Sequence, residues 1–432
     1  IKATVMLKRH YRQTRKVQTG MTELSFKEDH YEAAYESLCL RSVFQPIFSI
    51  AHRKAVGYEG LVRVADVSGN PVTPQELMRK NTASDQQLIL DRTCRLLHAC
   101  NFSQHPANDA WLFLNLNSQC LISERPDIGF MQTLMRESDL PSRRIVIEIL
   151  ESEIDNRDYL RELITHFRQM GCLIAIDDFG AGHSNFDRIW DLQPDIVKID
   201  RSLVKKAGHS MKVERILTGI VSLIHETGSL VVIEGVETEK EALVAISSNA
   251  DMVQGFYFAK PKPDLQQEID FGQAMDKLLH QHQNVRSQYN RKLQQHFRTF
   301  ELIFEKELDA FKQGASFEDC GHALFDDARA VRCYLLDESG YQIGRSLNSP
   351  KYTAKLDIRF TPLLSGVNAN WSHRHYHFRA IQNPNMTQIS RPYLSVAGSH
   401  MCITVSQAVV VSGKTYVFCC DLDWPDEDQP IS

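Results

Sequence analysis

The sequence predicts an α/β protein: a (β/α) barrel, then a long helix, then a small α+β domain with an antiparallel sheet. Three observations lead there. Seven short apolar runs between residues 55 and 254 each end at, or just before, a polar residue; helical patterns alternate with these runs; and beyond Pro263 the period changes, first to one amphipathic stripe and then to strand-like segments. Strands buried on both faces read as continuous apolar runs of this length.

The runs are Ala55–Tyr58 before Glu59, Trp111–Leu114 before Asn115, Ile145–Ile147 before Glu148, Leu173–Ile176 before Asp177 and Asp178, Ile196–Val197 before Lys198, Leu230–Ile233 before Glu234, and Met252–Val253 before Gln254. Between them, 85–100 places Leu88, Leu90, Leu96 and Leu97 on or near one helical face; 156–170 repeats this with Leu160, Leu163, Ile164 and Phe167 before Gly171. Residues 212–227 do so again with Ile216, Ile220, Leu223 and Ile224 before Gly228. Pro261 and Pro263 close the barrel segment, 25–263. Residues 264–313 follow as a connector helix whose stripe runs Val285, Tyr289, Leu293, Phe297, Phe300, Phe304, Leu308, Phe311, and Gly314 ends it. Such a helix packs on the barrel, on the last domain or on a second copy of the chain.

In 314–432, Val331–Asp337 reads as a strand before the turn Glu338-Ser339-Gly340, and Ser412-Gly413-Lys414 joins strands Thr404–Val411 and Thr415–Leu422 as a hairpin. His373, His375 and His377 share a face if this stretch is a strand: a metal or haem site is one reading, an ordinary solvated or core-edge strand the other. Cys419 and Cys420 read as buried neighbours pointing to opposite faces. At the start, 1–24 is a basic arm with Lys2, Lys8, Arg9, Arg12, Arg15 and Lys16 and no acid before Gln18. It reads as a mobile arm or tag remnant, with a lipid-facing segment as the alternative.

A net charge of −5 argues against a large nucleic-acid footprint, so no polymeric nucleic acid is expected as partner, while a small phosphorylated ligand needs only local charge. No apolar run approaches the roughly 18 residues of a membrane span. The ten cysteines form neither a disulfide framework nor a paired zinc site, which points to free thiols in a reducing, cytoplasmic compartment. The chain starts at Ile1, and a membrane region upstream is left open.

A (β/α) barrel carries its chemistry at the C-terminal ends of its strands. Closure would gather Glu59, Asn115, Glu148, Asp177, Asp178, Lys198, Glu234 and Gln254 at one pocket. The ligand types are carboxylates and one amide oxygen, with no histidine or cysteine in the pattern, and all-oxygen sets suit Mg²⁺ or Mn²⁺. Adjacent Asp177 and Asp178 suit two ions a few ångströms apart, an arrangement that clamps the oxygens of a phosphoryl displacement. Lys198 would orient the attacking water or stabilise negative charge; alone, it would merely neutralise the acids.

These residues lie in segments that resemble the EAL-type cyclic di-GMP phosphodiesterase family. The matching pieces are Phe44-Gln45-Pro46-Ile47, Tyr58-Glu59-Gly60-Leu61-Val62-Arg63, Leu112–Leu116, Glu148-Ile149-Leu150-Glu151, Asp177–Ser184, Asp195–Asp200, Glu234-Gly235-Val236-Glu237 and Gln254-Gly255-Phe256. The resemblance implies a modified TIM-like barrel that hydrolyses cyclic di-GMP to linear 5′-pGpG with two divalent ions. Glu59, Asn115, Glu148 and Asp177 would bind one ion, Asp177 and Asp178 the second, and Glu234 would complete the site. Lys198 would sit by the water, supported by Asp200. Gln45, Arg63 and Gln254 would engage the dinucleotide, and Glu151 and Glu237 would steady the loop after Asp178. The family habit and the helical stripe together lead to an expected homodimer.

The sequence departs from the family pattern at Gly60, Leu150, Ala181, His183 and Ile233, none of them a metal ligand. Retention of the acids favours an enzyme. A catalytically silent cyclic di-GMP receptor is the alternative, because the loop is altered, and a structural adaptor is a third reading. No cyclase motif is present, so synthesis of the dinucleotide is not expected. Arg391-Pro392-Tyr393, Cys402–Ser406, Gly413–Tyr416 and Asp421–Trp424 resemble a PAS/Cache-type regulatory fold, with a small ligand or a protein as its expected partner.

Overall fold

The computed structural model describes residues 17–18, 23–27, 29–73, 76–77, 84–105, 109–116, 128–150, 157–181, 186–265, 271–350, 365–395 and 401–424. The basic arm before residue 17, Glu151 and His183 lie outside them. The chain divides into two compact units, 1–283 and 284–432.

The first unit opens with antiparallel strands β1 (Val17–Gln18), β2 (Glu23–Lys27), β3 (His30–Tyr35) and β4 (Leu38–Ser49), then β5 (Lys54–Asp66) and the short β6 (Pro71–Val72). A helix, five βα repeats and a last strand follow: α1 (Ser84–Phe102), β7 (Trp111–Leu116), α2 (Ile128–Ser138), β8 (Ile145–Leu150), α3 (Arg157–Met170), β9 (Leu173–Phe179), α4 (Phe186–Leu192), β10 (Ile196–Ile199), α5 (Arg201–Ala207), α6 (Met211–Glu226), β11 (Leu230–Ile233), α7 (Glu239–Ser247) and β12 (Met252–Val253). The seven apolar runs are the parallel strands β5 and β7–β12. The eighth barrel strand is β4, which pairs antiparallel with both β5 and β12 and so closes the ring.

The barrel interior is plugged by a layer that takes one buried residue from each of seven strands: Ile47, Phe113, Val146, Ala175, Ile196, Val232 and Met252. On the eighth strand, β5, Gly57 lies opposite Ile47 and has no side chain to contribute. A Cβ there would lie 2.5 Å from the Phe113 ring, so the phenylalanine occupies the space of two side chains. The larger core lies outside the strands, where Leu96, Leu134, Leu163, Phe167, Leu217 and Val221 of the helices pack on their outer faces. Local caps fix where helices begin: Ser210 accepts from the Val213 N–H, and Thr238 and Glu241 form a reciprocal capping box.

Helix α8 (Phe271–Lys312) begins in the first unit and ends in the second. Phe271, Met275 and Leu278 belong to the barrel's outer core, whereas Phe297, Phe300, Phe304, Leu308 and Phe311 belong to the core of the second unit. The C-terminal half of the stripe is thus buried within its own chain and is not an exposed dimerisation surface. Val285, 58% exposed, lies between the two buried stretches.

The second unit continues with α9 (Phe317–Leu324), β13 (Ala330–Asp337), β14 (Gln342–Asn348), α10 (His375–Gln382), β15 (Gln388–Ile389), β16 (Tyr393–Leu394), β17 (Met401–Val411) and β18 (Lys414–Asp423). The sheet is antiparallel, in the order β14-β13-β18-β17-β15, with β16 also on β17. Strand alternation gives it two apolar faces. Cys333, Leu335, Phe418 and Cys420 pack on α8; Tyr334, Leu336, Val417 and Cys419 pack on Tyr376 and Ala380 of α10. Ser412 and Gly413, both at positive φ, form the two-residue turn between β17 and β18.

The histidine stretch is not a strand. His375 opens α10, His377 is buried on it, and His373 precedes it, so the three share no face. Tyr376 and Ala380, four apart and both buried, set the helical period that the histidine spacing conceals. The nine described cysteines are all free, and no described helix is long and apolar enough to cross a membrane.

Gly57→Ala is expected to destabilise the chain by about 1–3 kcal/mol through overpacking. Combining it with Phe113→Leu should cost less than the sum of the two single changes; simple additivity in denaturant unfolding would refute the shared-space account.

Candidate active site

Side chains two residues apart on a strand share a face. Two positions along from the plug residues Phe113, Val146, Ala175, Ile196, Val232 and Met252 stand Asn115, Glu148, Asp177, Lys198, Glu234 and Gln254. Two positions after the plug-level Gly57 stands Glu59; on the antiparallel β4, two before Ile47 is Gln45. The polar layer therefore lies directly above the plug, at the C-terminal rim of the parallel strands. Register agrees: Gln45 is paired with Glu59, and Asn115 with Glu148.

Lys198 occupies the middle of this layer at 1% exposure. Its Nζ lies 2.5 Å from Glu148 Oε1, 2.6 Å from Glu234 Oε1, 3.1 Å from Asp177 Oδ1 and 3.8 Å from Glu59 Oε2. Glu59 is oriented from both sides: Asn115 Nδ2 donates to its Oε1 at 3.0 Å and Gln254 Nε2 to its Oε2 at 2.7 Å. One ammonium among four carboxylates leaves a local excess of negative charge. Burial pushes the Glu234 carboxyl up to about 8 and the Glu148 carboxyl well above its ordinary range, with Lys198 opposing both shifts. Burial works against the Lys198 charge, but Asp177, Glu148, Glu234 and Glu59 hold its pKa well above the usual value.

Asp177 and Asp178 are neighbours, and on a regular strand they would face opposite ways. Asp178 has φ +57°, a left-handed turn that aspartate tolerates better than most residues, and its N–H donates to Asp177 Oδ1 at 3.0 Å. The turn lets Asp177, Asp178 and Glu234 bring one carboxylate oxygen each within 4.8 Å of one another. Burial, then the neighbouring Asp177 and Asp200, raise the Asp178 pKa.

Among the described residues, two buried acceptors here, Glu148 Oε2 and Gln254 Oε1, have no hydrogen-bond donor. An acceptor-only cluster with excess negative charge fits a hard divalent cation: its donors are all oxygen, and a cation would satisfy atoms that are costly to leave bare.

Other sequence-derived residues lie around this core. Asp200 caps α5, accepting from the Ser202 N–H at 2.9 Å. Glu237 pairs with Arg201 at the start of α5. Gln45 Nε2 donates to the Ala259 carbonyl at 3.4 Å. Arg63 is exposed, on the same face of β5 as Glu59 and paired with Arg41 across the sheet. Arg41 is neutralised by Glu32 at 2.5 Å, and both arginines border a cleft of about 360 Å³ with Ser42 and His105.

Three contacts were not foreseen. A Cβ on Gly255 would lie 2.1 Å from the Val236 carbonyl oxygen, so the backbone after Gln254 must be bare. A Cβ on Gly235, at φ +60°, would strike Arg201. A Cβ on Gly60 would lie 2.9 Å from the ring of His98, which is buried on α1 and bonded to Ser42 Oγ at 2.8 Å. This fits Gly60 standing where the family pattern has alanine. Only glycine's known turn habits could have hinted at any of these; the contacts are long-range.

Residues 30–261 match the family model described as EAL domain. The chain is 27% identical over 230 residues to the signaling protein YkoW of Bacillus subtilis, covering 52% of this chain and 28% of that one. It is 31% identical over 135 residues to the cyclic di-GMP phosphodiesterase RocR of Pseudomonas aeruginosa, covering 31% and 34%. It spans between 28% and 40% of the length of the curated relatives it matches first. The crystal structure of the Bacillus subtilis YkuI protein, with an EAL domain, in complex with substrate c-di-GMP and calcium, superposes with TM-score 0.74 at 22% identity. That match covers 90% of this chain and 97% of that one, and it carries the fold of both units.

Gly60→Ala is expected to lose about 1–3 kcal/mol, and less in a His98→Ala background; a double-mutant cycle with zero coupling would sever the two residues. Lys198→Met should lower stability in chelator by about 3–5 kcal/mol at neutral pH, since it strands the carboxylates, and an unchanged melting temperature would show that the ammonium is not the balancing charge.

Proposed function

The chain belongs to the EAL domain family, and we propose that it hydrolyses cyclic di-GMP to linear 5′-pGpG with two divalent cations, Mg²⁺ or Mn²⁺. The observation that carries this reading is the charge excess at the barrel rim: four carboxylates share one buried ammonium, and Glu148 Oε2 lacks any donor. The names of RocR and of the YkuI complex supply the substrate class.

Bound there, the cations would supply Lewis-acid activation of water and charge neutralisation at the scissile phosphodiester. Glu59, Asn115, Glu148 and Asp177 would hold one and Asp177 with Asp178 the other, with Glu234 completing the set. Asn115 and Gln254 keep Glu59 in place through its two oxygens. Lys198, held protonated by its neighbours, would hold the attacking water by hydrogen bond and offset negative charge at phosphorus. Asp200, already fixed as a helix cap, would set the start of α5 and support Lys198 from outside the ion-pair set. Arg63, facing the same side as Glu59, would take a phosphate through its planar fork, and Gln45 and Gln254 would contact the dinucleotide. Glu237, with Glu151, would steady the loop after Asp178. Water adds across one P–O3′ bond, leaving a free 3′-hydroxyl on one guanosine and a 5′-phosphate on the other.

The second unit is proposed as the regulatory part, of PAS/Cache type, and a homodimer rests on family habit alone. Purified chain incubated with cyclic di-GMP and Mg²⁺ or Mn²⁺ is expected to yield pGpG by chromatography. Glu59→Ala should give none, and Lys198→Ala a rate lower by roughly 10²–10⁴-fold. Tight calorimetric binding in Ca²⁺ without product in Mg²⁺ or Mn²⁺ would replace the enzyme with the receptor; neither binding nor product would leave the adaptor.

A further inference from the structure

We propose that the second unit binds a small multiply charged anion, a phosphate ester or a polycarboxylate, in the cleft between the start of α10 and the segment 388–393. The cleft encloses about 390 Å³, within the range of small-molecule sites and too small for a macromolecular segment of any length. Arg374, His375 and Arg379 line it from the helix side and Ser390, Arg391 and Tyr393 from the other; among the described residues, no aspartate or glutamate lines it. Among the described residues, none of the three arginines has a carboxylate partner. Three arginines lining one cleft gather positive charge that an anion between them would offset, and their planar forks match phosphate and carboxylate oxygens.

Two further observations point to a ligand. Arg374 Nε is buried without a hydrogen-bond partner among the described residues, which leaves a donor of a charged group unsatisfied at the cleft wall. Arg374 also stands at the N-cap of α10 without a side-chain capping bond, so the positive end of that eight-residue helix opens to the same place.

The opposite wall is held rigid. The Arg374 guanidinium lies 5.5 Å over the Tyr393 ring, and the Tyr393 hydroxyl is 2.6 Å from Thr404 Oγ1. Thr404 donates at 2.8 Å to Asp421, whose other oxygen pairs with Arg332 at 2.6 Å. The only acid in this chain of contacts is already neutralised by Arg332, so the cleft keeps its positive field. Rigid walls and unspent donors are what a preorganised anion site needs.

The test is calorimetry on the full chain at constant ionic strength, with inorganic phosphate and with citrate as probes. Saturable binding of at least one is expected. It should weaken at least tenfold in Arg379→Ala/Arg391→Ala, whose side chains are exposed and whose removal leaves the core intact, and it should be unchanged in Arg63→Ala, which reports on the barrel. Arg374→Lys, keeping charge but losing the fork, should also weaken it. A preference for phosphate or for citrate tells the ester from the polycarboxylate. Absence of saturable heat for both probes up to roughly 10 mM, or equal affinity in the double variant, overturns the site. Neither result touches the barrel reading, which is tested by turnover of cyclic di-GMP.

Discussion

One buried ammonium organises the barrel rim. Lys198 touches carboxylates from four other strand ends, and each of those acids would be expensive to bury alone. Its charge lets Glu148, fully buried, and Glu234, partly buried, stand at the end of apolar strands without unfolding them. The balance is incomplete: burial still raises the Glu148 and Glu234 carboxyl pKa values against the ammonium, and acceptor oxygens among the described residues stay bare. The same imbalance that costs stability would be relieved by a bound cation, as proposed for this site.

The plug beneath the rim makes this arrangement possible. Phe113 fills the space that Gly57 vacates, and the other strands add smaller side chains around it. With the interior filled, polar groups two residues further on cannot sink into the barrel and must converge at its mouth. The antiparallel strand β4 closes the ring without reversing the pattern, because Gln45 lies opposite Glu59 whichever way its strand runs. The left-handed turn at Asp178 then supplies what regular strand geometry cannot, two consecutive carboxylates at one mouth.

In the second unit, burial is divided between two faces of one antiparallel sheet. The aromatic half of α8 covers one face, and α10, with Tyr376 and Ala380, covers the other. The residues that make α10 amphipathic leave Arg379 exposed, near the N-cap Arg374, where the sheet's edge segment passes. Positive charge without counter-charge is thus a product of the packing and is not visible as a motif.

The seven parallel strands, the main helices and the set of polar strand ends are legible in the sequence, since apolar runs and helical periods are local signals and each polar end follows its run directly. It also carried the family motifs. Several features were decided only by the tertiary structure. The antiparallel closure by β4 depends on pairing between residues far apart in the chain. The histidine spacing reads as a strand until Tyr376 and Ala380 find a sheet to pack on. Asp178 takes a positive φ that strand alternation does not foretell, and Gly60 matters because His98 arrives from another element. The charge balance around Lys198 also waited for the fold: the sequence names five acids and a lysine, but which of them touch, and which oxygens stay bare, depends on distances that only a closed barrel sets.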